Sequence, residues 1–299
     1  MGPYRVMTNR ANLPDAIVTA VVNDSYNKGD AQISVTGLLK PPRMSTLEEQ
    51  HGHEITEDVS ERIWSLLGQA VHMILERANR TAIAERRLSM EIEGWKISGA
   101  MDVYEEKGIL SDFKITSVYK LLQGDLDEWA SQLNLYSVLL RHHGHHVSKL
   151  QIIAILRDWS KLEAARNPDY PQAQVVNIPL PLWEPEKSLA FMRERVILHQ
   201  QARVTLPECS AKERWAKPDV WAVMKVGRKS AVKLCSTDRE ALELATTDKK
   251  YYVAHRPGLS IRCSAYCSIF KFCLQGQQLI KPILKNSNQE DNNAIHATA

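Results

Sequence analysis

A chain of 299 residues, 44% hydrophobic and 24% charged, is long enough to bury one sizeable α/β core. Its net charge of +3 is only mildly basic, so attraction to nucleic acid would have to come from local patches. The sequence contains no apolar run of the roughly 18 residues that span a membrane, no secretory signal, and too few cysteines for a disulfide-framed secreted protein. We therefore expect a cytoplasmic protein without a membrane partner.

Composition and the distribution of apolar and polar residues along the chain indicate four segments. Residues 1–30 are mixed and are expected to be loosely ordered. Residues 31–205 are expected to form the main core, and residues 206–280 a cysteine-rich region packed on it. Residues 281–299 are polar and poor in large apolar groups, which is typical of a disordered tail.

The first long helix is predicted in ITEDVSERIWSLLGQAVHMILERAN, with Thr56 as its N-cap. Apolar residues recur there at helical spacing and define one face; they are Val59, Ile63, Leu67, Val71 and Ile74. His72 lies on this helix. A helical histidine is usually a surface or satisfied core residue, and the alternative is a neutral imidazole that completes a metal's coordination.

A strand from about Leu88 leads to GAMDVYEEKGILSDFKI, residues 99–115, which predicts a β-hairpin. A three-residue loop would end at Gly108, where the backbone needs a positive φ. This register places Asp102 directly opposite Asp112.

Side chains alternate along a strand, so Lys114 joins Asp112 on one face while Phe113 points to the other. Two carboxylates that converge repel each other unless a cation lies between them, and hard oxygens favour Mg²⁺ or Mn²⁺. The pattern indicates a metal-dependent phosphodiesterase site, although a solvated surface hairpin would have the same spacing.

The next helix, in DEWASQLNLYSVLLRHHG, is expected to end near Gly144. Gln132 and Tyr136 are four residues apart and share one of its faces, as ordinary pairs on amphipathic helices also do. Residues 150–159 are continuously apolar and predict a central strand.

Pro179 and Pro181 mark the following strand as an edge strand, and Pro185 begins a helix. Residues 220–235 predict a second hairpin that turns near Gly227, followed by a short helix with Asp238 near its start.

Three of the five cysteines, Cys263, Cys267 and Cys273, are spaced C-x3-C-x5-C. Thiolates are soft ligands for zinc or an iron–sulfur cluster. Either group needs four ligands and only three are local. The simpler alternative is a set of free thiols in a reducing cytosol.

Four segments in this order, GQAVHMILE, GAMD, SDFK and QLNLY, resemble the PD-(D/E)XK nuclease superfamily. The resemblance is closest to its RecB-type exonuclease branch, which includes iron–sulfur exonucleases of CRISPR adaptation and many phage nucleases. It covers about residues 31–275 and implies a restriction-endonuclease-like α/β core, with a mixed central sheet flanked by helices, plus a cysteine-bound cluster region. Met101 stands where the family motif has proline.

The resemblance also implies roles for individual residues. It predicts a Mg²⁺ or Mn²⁺ ion held by His72, Asp102, Asp112 and the Phe113 carbonyl. Lys114 would act at the attacking water, and Gln132 and Tyr136 would flank the DNA phosphate. Glu85 could add a further carboxylate.

Members with an iron–sulfur cluster have a C-terminal cysteine triplet and a distant fourth ligand, often before the His helix, where this chain has no cysteine. Cys209 is then the better candidate to join Cys263, Cys267 and Cys273 around a [4Fe–4S] cluster. Zinc stays open, because spacing does not fix the metal. Cys235 ends a predicted strand and is expected to be buried.

The resulting hypothesis is a metal-dependent DNA exonuclease that acts on single-stranded DNA or DNA ends in recombination, repair or phage replication. DNA is the expected partner, and protein partners stay unspecified. One alternative is a non-catalytic DNA-binding or assembly protein, against which the intact Asp/Asp/Lys set argues. The other is a structure- or sequence-specific DNA endonuclease, against which the cysteine triplet argues.

Overall fold

The computed structural model of the protein describes residues 5–23, 29–78 and 87–281. The chain divides into two compact units, residues 1–45 with 52–205 (unit 1) and residues 46–51 with 206–299 (unit 2). The architecture is mixed α/β, with several sheets flanked by helices. No helix in these described ranges is long and apolar enough to cross a membrane.

The first elements of the chain depart from the sequence expectation. In order they are β1 (Val6–Thr8), α1 (Asp15–Val22), β2 (Ile33–Ser34), α2 (Val35–Leu39), α3 (Pro42–His51), β3 (Thr56–Asp58) and α4 (Ile63–Ala78). The segment expected to be loosely ordered therefore contains a strand and a helix, because β1 pairs in parallel with β3.

Thr56 was predicted to cap the His72 helix, and that prediction was wrong. Thr56 lies in β3, and α4 begins only at Ile63, after a single 3-10 turn. Asp58 caps this turn instead, because its carboxylate accepts the Ser60 N–H at 3.1 Å. Pairing with a strand about fifty residues upstream decides where the helix begins.

The remaining elements of unit 1 include the predicted strands and helices in the predicted order, together with two short helices and one further strand that the sequence analysis did not predict. They are β4 (Arg87–Ile92), β5 (Trp95–Ala100), β6 (Val103–Glu105), β7 (Ile109–Thr116), α5 (Val118–Leu122), α6 (Asp127–His142), β8 (Lys149–Leu156), α7 (Lys161–Arg166), β9 (Val175–Leu180) and α8 (Pro185–Ala202). The predicted edge strand and the helix that begins at Pro185 are confirmed.

Two sheets, rather than a single central one, make up the main part of unit 1. One has the order β2-β5-β4 and the other the order β6-β7-β8-β9. The second sheet is mixed, because β7 and β8 are parallel while β6 and β9 are antiparallel to their neighbours. Met101 and Asp102 lie outside the ladders between β5 and β6, and this break separates the sheets.

Strand β8 is central in its sheet, as its apolar sequence predicts. Four of its side chains on one face are completely buried in the main core, namely Leu150, Ile152, Ala154 and Leu156. Helix α6 contributes Leu133, Leu139 and Leu140 to the same core, each with no exposed surface. This packing fixes α6 against the sheet that carries the predicted site.

Unit 2 contains β10 (Val220–Lys225), β11 (Lys233–Cys235), α9 (Asp238–Ala245) and β12 (Tyr251–Arg256). The strands form an antiparallel sheet in the order β11-β10-β12. The predicted hairpin is confirmed, with Gly227 at φ +83° in its turn. Val223, Cys235 and Ala241 form a small buried core.

Two glycines of unit 1 should respond oppositely to alanine. A Cβ on Gly99 would lie 2.7 Å from Tyr136 Cε1 and 2.9 Å from Leu139 Cδ1, whereas one on Gly68 would meet nothing within 4 Å. We expect Gly99→Ala to lower the free energy of unfolding by about 1–3 kcal/mol through overpacking. Gly68→Ala, in the interior of α4, should raise it by about 0.5–1 kcal/mol. Denaturant titration measures both, and equal stability of the two variants would contradict this packing.

Candidate functional site

The β6–β7 hairpin has the predicted register. Val103 pairs with Ser111, so Asp102 precedes the first pair and comes to lie beside Asp112. Gly108 has φ +84°, and its N–H donates to the Glu105 carbonyl at 2.8 Å to close the turn. The pleat alternates side chains strictly, so this turn fixes which residues share a face.

Asp102 is fixed by the backbone of β7. Its Oδ2 accepts a hydrogen bond from the Phe113 N–H at 2.7 Å. This contact involves the N–H of Phe113, whereas the family resemblance implies a role for its carbonyl. Asp102 Oδ1 faces His72, whose Nδ1 lies 3.3 Å away.

His72 reaches this place from α4, and its ring meets the Phe113 ring edge-on at 6.3 Å between centroids. The hydrogen bond to Asp102 raises the pKa of His72, although partial burial opposes this. Positive charge on the imidazole is therefore favoured while no other cation neutralises Asp102.

The Asp112 carboxylate is only 3% exposed. Lys114 Nζ lies 2.6 Å from its Oδ2, which is an ion-pair distance. At this distance the ammonium is the charged partner of Oδ2, and no other group among the described residues donates to that oxygen. Burial raises the pKa of Asp112 to about 6; the charge of Asp102 adds to this rise and that of Lys114 opposes it.

Helix α6 closes the other side of Asp112. Gln132 Nε2 lies 3.2 Å from Asp112 Oδ1 and also 3.2 Å from the Tyr136 hydroxyl. Asn134, on the same helix, is completely buried, donates to the Pro181 carbonyl at 3.0 Å and accepts the Trp183 N–H at 2.8 Å. The helix is thus anchored at the point where Gln132 and Tyr136 meet the site.

The structure brings together the side chains that the sequence assigned to one site. Asp102 contacts His72 and the backbone of Phe113, and Asp112 contacts both Lys114 and Gln132. Gln132 in turn contacts Tyr136. Across the described ranges, no three His, Cys, Asp or Glu residues are arranged so that they could hold a metal ion. Glu85 lies outside the described residues.

The donor set suits a hard divalent cation. Carboxylate oxygens with one imidazole are ligands that Mg²⁺ and especially Mn²⁺ accept. Two carboxylates beside each other repel, more so where one is buried, and a divalent cation between them would relieve that repulsion. The residue types at the site therefore match such an ion in chemistry, while their arrangement in this structure, with Lys114 at Asp112 and His72 at Asp102, is not that of a three-ligand group.

A second group of titratable side chains lies in unit 2, where the thiols of Cys263, Cys267 and Cys273 are near enough to Cys209 to affect its pKa, although no three of the described cysteines are arranged to hold a metal ion. Burial, the charge of Glu213 and these three thiols together raise the pKa of the Cys209 thiol to about 12. Burial likewise raises the pKa of Cys267 to about 11 and that of Cys263 above its usual value. A metal or cluster bound there would have to displace protons that the thiols hold tightly.

The fifth cysteine stands apart from these four. Cys235 is 2% exposed and belongs to the small core of unit 2 with Val223 and Ala241. This agrees with the burial expected for the end of a strand. Its place in this small core, rather than burial itself, distinguishes Cys235 from the other four cysteines, since Cys273 is buried as well.

Sequence reasoning missed the residues that hold Cys209 in place. The Gln275 side chain accepts the Cys209 N–H at 2.9 Å and donates to its carbonyl at 3.0 Å. Arg214 Nε donates to the same carbonyl at 3.1 Å, and the Gly276 N–H donates to Cys273 Sγ at 3.4 Å. Gln275 is only two residues beyond Cys273, but no local pattern links it to Cys209.

Comparison with known proteins gives distant similarity only. No family model and no curated protein matches the sequence. A solved structure named SSO0001 aligns with 62% of this chain and 84% of its own, at 18% identity and a TM-score of 0.43. A "Putative exonuclease" from Eubacterium rectale aligns with 50% of this chain and 54% of its own, at 13% identity and a TM-score of 0.30. Both TM-scores are below 0.5, so the site rests on its own contacts.

The raised pKa of Asp112 predicts a pH-dependent stability difference. Below the unfolded pKa of 3.8 the carboxyl is protonated in both states and has no effect. As the pH rises from about 3.8 to about 6, the carboxyl ionises in the unfolded chain while burial keeps it protonated in the folded protein, so wild type loses stability relative to Asp112→Asn, and this loss is complete above about pH 6. Without divalent metal, we expect the variant to gain on the order of 1–3 kcal/mol on the alkaline side of this range. Denaturant titrations across pH measure the gain, and a difference that shrinks with rising pH would refute the assignment.

Proposed function

We propose that this protein is a divalent-metal-dependent deoxyribonuclease of the RecB-type PD-(D/E)XK branch, acting on single-stranded DNA or DNA ends. One observation carries the proposal: the buried Asp112 carboxylate lies beside a second carboxylate, with Lys114 Nζ 2.6 Å from Asp112 Oδ2 and His72 Nδ1 3.3 Å from Asp102 Oδ1. A buried pair of carboxylates is costly for folding alone, and such pairs are typical of functional sites.

Asp102, Asp112 and His72 are the residues that would hold Mg²⁺ or Mn²⁺, with the Phe113 carbonyl as the further donor that the family resemblance implies. When bound, such an ion supplies an acidified water and neutralises charge that develops on the phosphate. The two carboxylates supply the negative charge that attracts the ion. His72 would first lose the proton that its contact with Asp102 favours.

Lys114 is suited to act at the attacking water. Its side chain is a quarter exposed, so it is open to solvent while its ammonium stays paired with Asp112. An ammonium fixed there would orient the nucleophile and stabilise negative charge as the phosphorus–oxygen bond breaks. Gln132 and Tyr136 are held by their mutual hydrogen bond and would position the DNA phosphate.

The effect of three thiols on the pKa of Cys209 supports a second part of the proposal, a [4Fe–4S] cluster bound by Cys209, Cys263, Cys267 and Cys273. Zinc is the alternative for the same ligands. Either would join segments more than fifty residues apart, so binding free energy would become folding free energy for unit 2.

Cleavage assays test the catalytic assignment. We expect Lys114→Ala to lower the turnover number about 10²–10³-fold, because a fixed charge at the reacting phosphate is lost. Asp112→Asn should be inactive. Lys149, an exposed lysine at the opposite end of the same sheet, provides the matched control, and Lys149→Ala should cleave like wild type. Wild-type turnover in Lys114→Ala would refute the mechanism.

Substrate form separates the alternatives. End-labelled linear and covalently closed circular single-stranded DNA are incubated with Mg²⁺, Mn²⁺ or Ca²⁺. An exonuclease degrades only the linear substrate, with Mn²⁺ at least as effective as Mg²⁺ and Ca²⁺ poor. Cleavage of the circle would favour the endonuclease. Binding without cleavage under every metal would favour the non-catalytic DNA-binding protein.

Colour and metal content test the cysteine assignment. Protein purified without oxygen should be brown with broad visible absorbance, and Cys209→Ser or Cys267→Ser should bleach it. Cys235→Ala is the matched control and should keep the colour, because Cys235 lies in a separate core. Colourless protein with stoichiometric zinc would assign the site to zinc. Bleaching by Cys235→Ala but not by Cys209→Ser would show the fourth ligand to be wrong.

A further inference from the structure

Unit 2 presents an exposed cluster of one cation and two aromatic rings, formed by Trp215, Arg262 and Tyr266. The Arg262 guanidinium lies over the Trp215 ring, 4.1 Å from its centroid. The Tyr266 ring meets the Trp215 ring at 5.6 Å and 64°. Trp215 is 42% exposed and Tyr266 is 66% exposed, so both rings leave much of their surface open to solvent.

The backbone at Trp215 is unusual. Its φ is +51°, in the left-handed region that bulky side chains rarely adopt. This conformation is held from both sides, because the Trp215 N–H donates to Lys212 at 3.1 Å and Ala216 forms a bridge with Ser260. Trp215 therefore keeps a strained backbone conformation although its ring is not buried. Strained backbone conformations of this kind occur preferentially at functional sites.

Arg262 and Tyr266 are positioned by the neighbouring segment. They are the first and last residues of a single π-helical turn, a rare element that is frequent at functional sites. The Arg262 N–H donates to the Arg214 carbonyl at 3.1 Å, which ties this turn to the segment that carries Trp215. The two segments therefore hold the three side chains together.

The chemistry of this cluster suits unpaired nucleobases. Every base has a flat π face, and exposed Trp and Tyr rings provide surfaces for stacking regardless of sequence. A guanidinium beside them adds a cation for the phosphate backbone, and Lys217 is a further exposed cation nearby. The closest carboxylate in sequence, Glu213, is engaged by the Ser210 N–H at 2.9 Å and its hydroxyl at 3.1 Å.

We propose that Trp215, Arg262 and Tyr266 form a base-stacking site for single-stranded DNA. The choice of ligand rests on the proposed nuclease function. The same two segments carry Cys209, Cys263 and Cys267. A metal or cluster bound by these thiols would therefore also hold Trp215, Arg262 and Tyr266 in position. In unit 2, such a site would hold the strand independently of the residues that cleave it.

Binding of a fluorescently labelled oligothymidine, measured by anisotropy without added divalent metal, tests the proposal. The full-length Asp112→Asn protein, purified without oxygen and without chelators, provides a background that is expected not to cleave DNA. Trp215→Gly removes the ring and relieves the strain, because glycine adopts φ +51° readily. We expect Trp215→Gly and Tyr266→Ala each to raise the Kd about 5- to 150-fold. Unchanged thermal unfolding of Trp215→Gly checks that the fold is intact.

Two controls identify stacking as the cause. Tyr252 is 47% exposed on β12 of the same unit, and Tyr252→Ala should bind like the background. An abasic oligomer of equal length should bind equally to the background and to Trp215→Gly. Equal loss for the abasic oligomer would overturn stacking in favour of a phosphate contact. If Trp215→Gly and Tyr266→Ala both bind as tightly as the background, the proposed DNA site is wrong, and a protein partner becomes the alternative ligand for this surface.

The outcomes also separate this site from the proposed function. If wild type cleaves DNA and both ring variants bind oligothymidine like the background, the stacking site is wrong and the nuclease stands. If wild type cleaves nothing and Trp215→Gly still weakens binding, the nuclease is wrong and the stacking site stands.

Discussion

Burial of the Asp112 carboxylate is the constraint on which the site depends. A negative charge that is 3% exposed must be neutralised, protonated or hydrogen-bonded to be tolerated. The protein does this only in part, with one ion pair to Lys114 and one hydrogen bond from Gln132. The pKa of the Asp112 carboxyl is consequently raised. A cation bound beside the carboxylate would stabilise its charged form.

The rest of unit 1 is arranged so that this carboxylate cannot move away. Gly108 fixes the turn, the turn fixes the register, and the register sets Asp102 beside Asp112. Gly99 has no side chain, which lets Tyr136 approach the strand and brings α6 with it. A substitution at Gly108 or Gly99 would therefore alter the geometry of the site although neither glycine contacts it through a charged side chain.

The sequence predicted the hairpin well, because side-chain alternation and the glycine turn are local properties. It also predicted the edge strand β9, because Pro179 cannot donate to a ladder. It failed at Thr56, whose strand conformation depends on pairing with Val6, about fifty residues away. It also failed to predict that the sheet divides at Met101, since the sequence contains no break there.

The cysteines also show that local spacing can be predicted from the sequence whereas long-range contacts cannot. Their spacing identified the triplet, and the three thiols contribute to the raised pKa of Cys209. The Gln275 hydrogen bonds that hold Cys209 join positions 66 residues apart, so no pattern within a window could show them. The strained backbone at Trp215 was also invisible, because φ depends on the packing of both flanking segments.

Calorimetric titration with Mn²⁺ tests the central claim most directly. Wild type and Asp112→Asn are titrated at neutral pH in two buffers that differ in ionisation enthalpy, which reveals protons released on binding. The account predicts that wild type binds Mn²⁺ and releases protons from Asp112 and His72, whereas Asp112→Asn shows no such binding. Equal affinity and equal proton release in both proteins would contradict it.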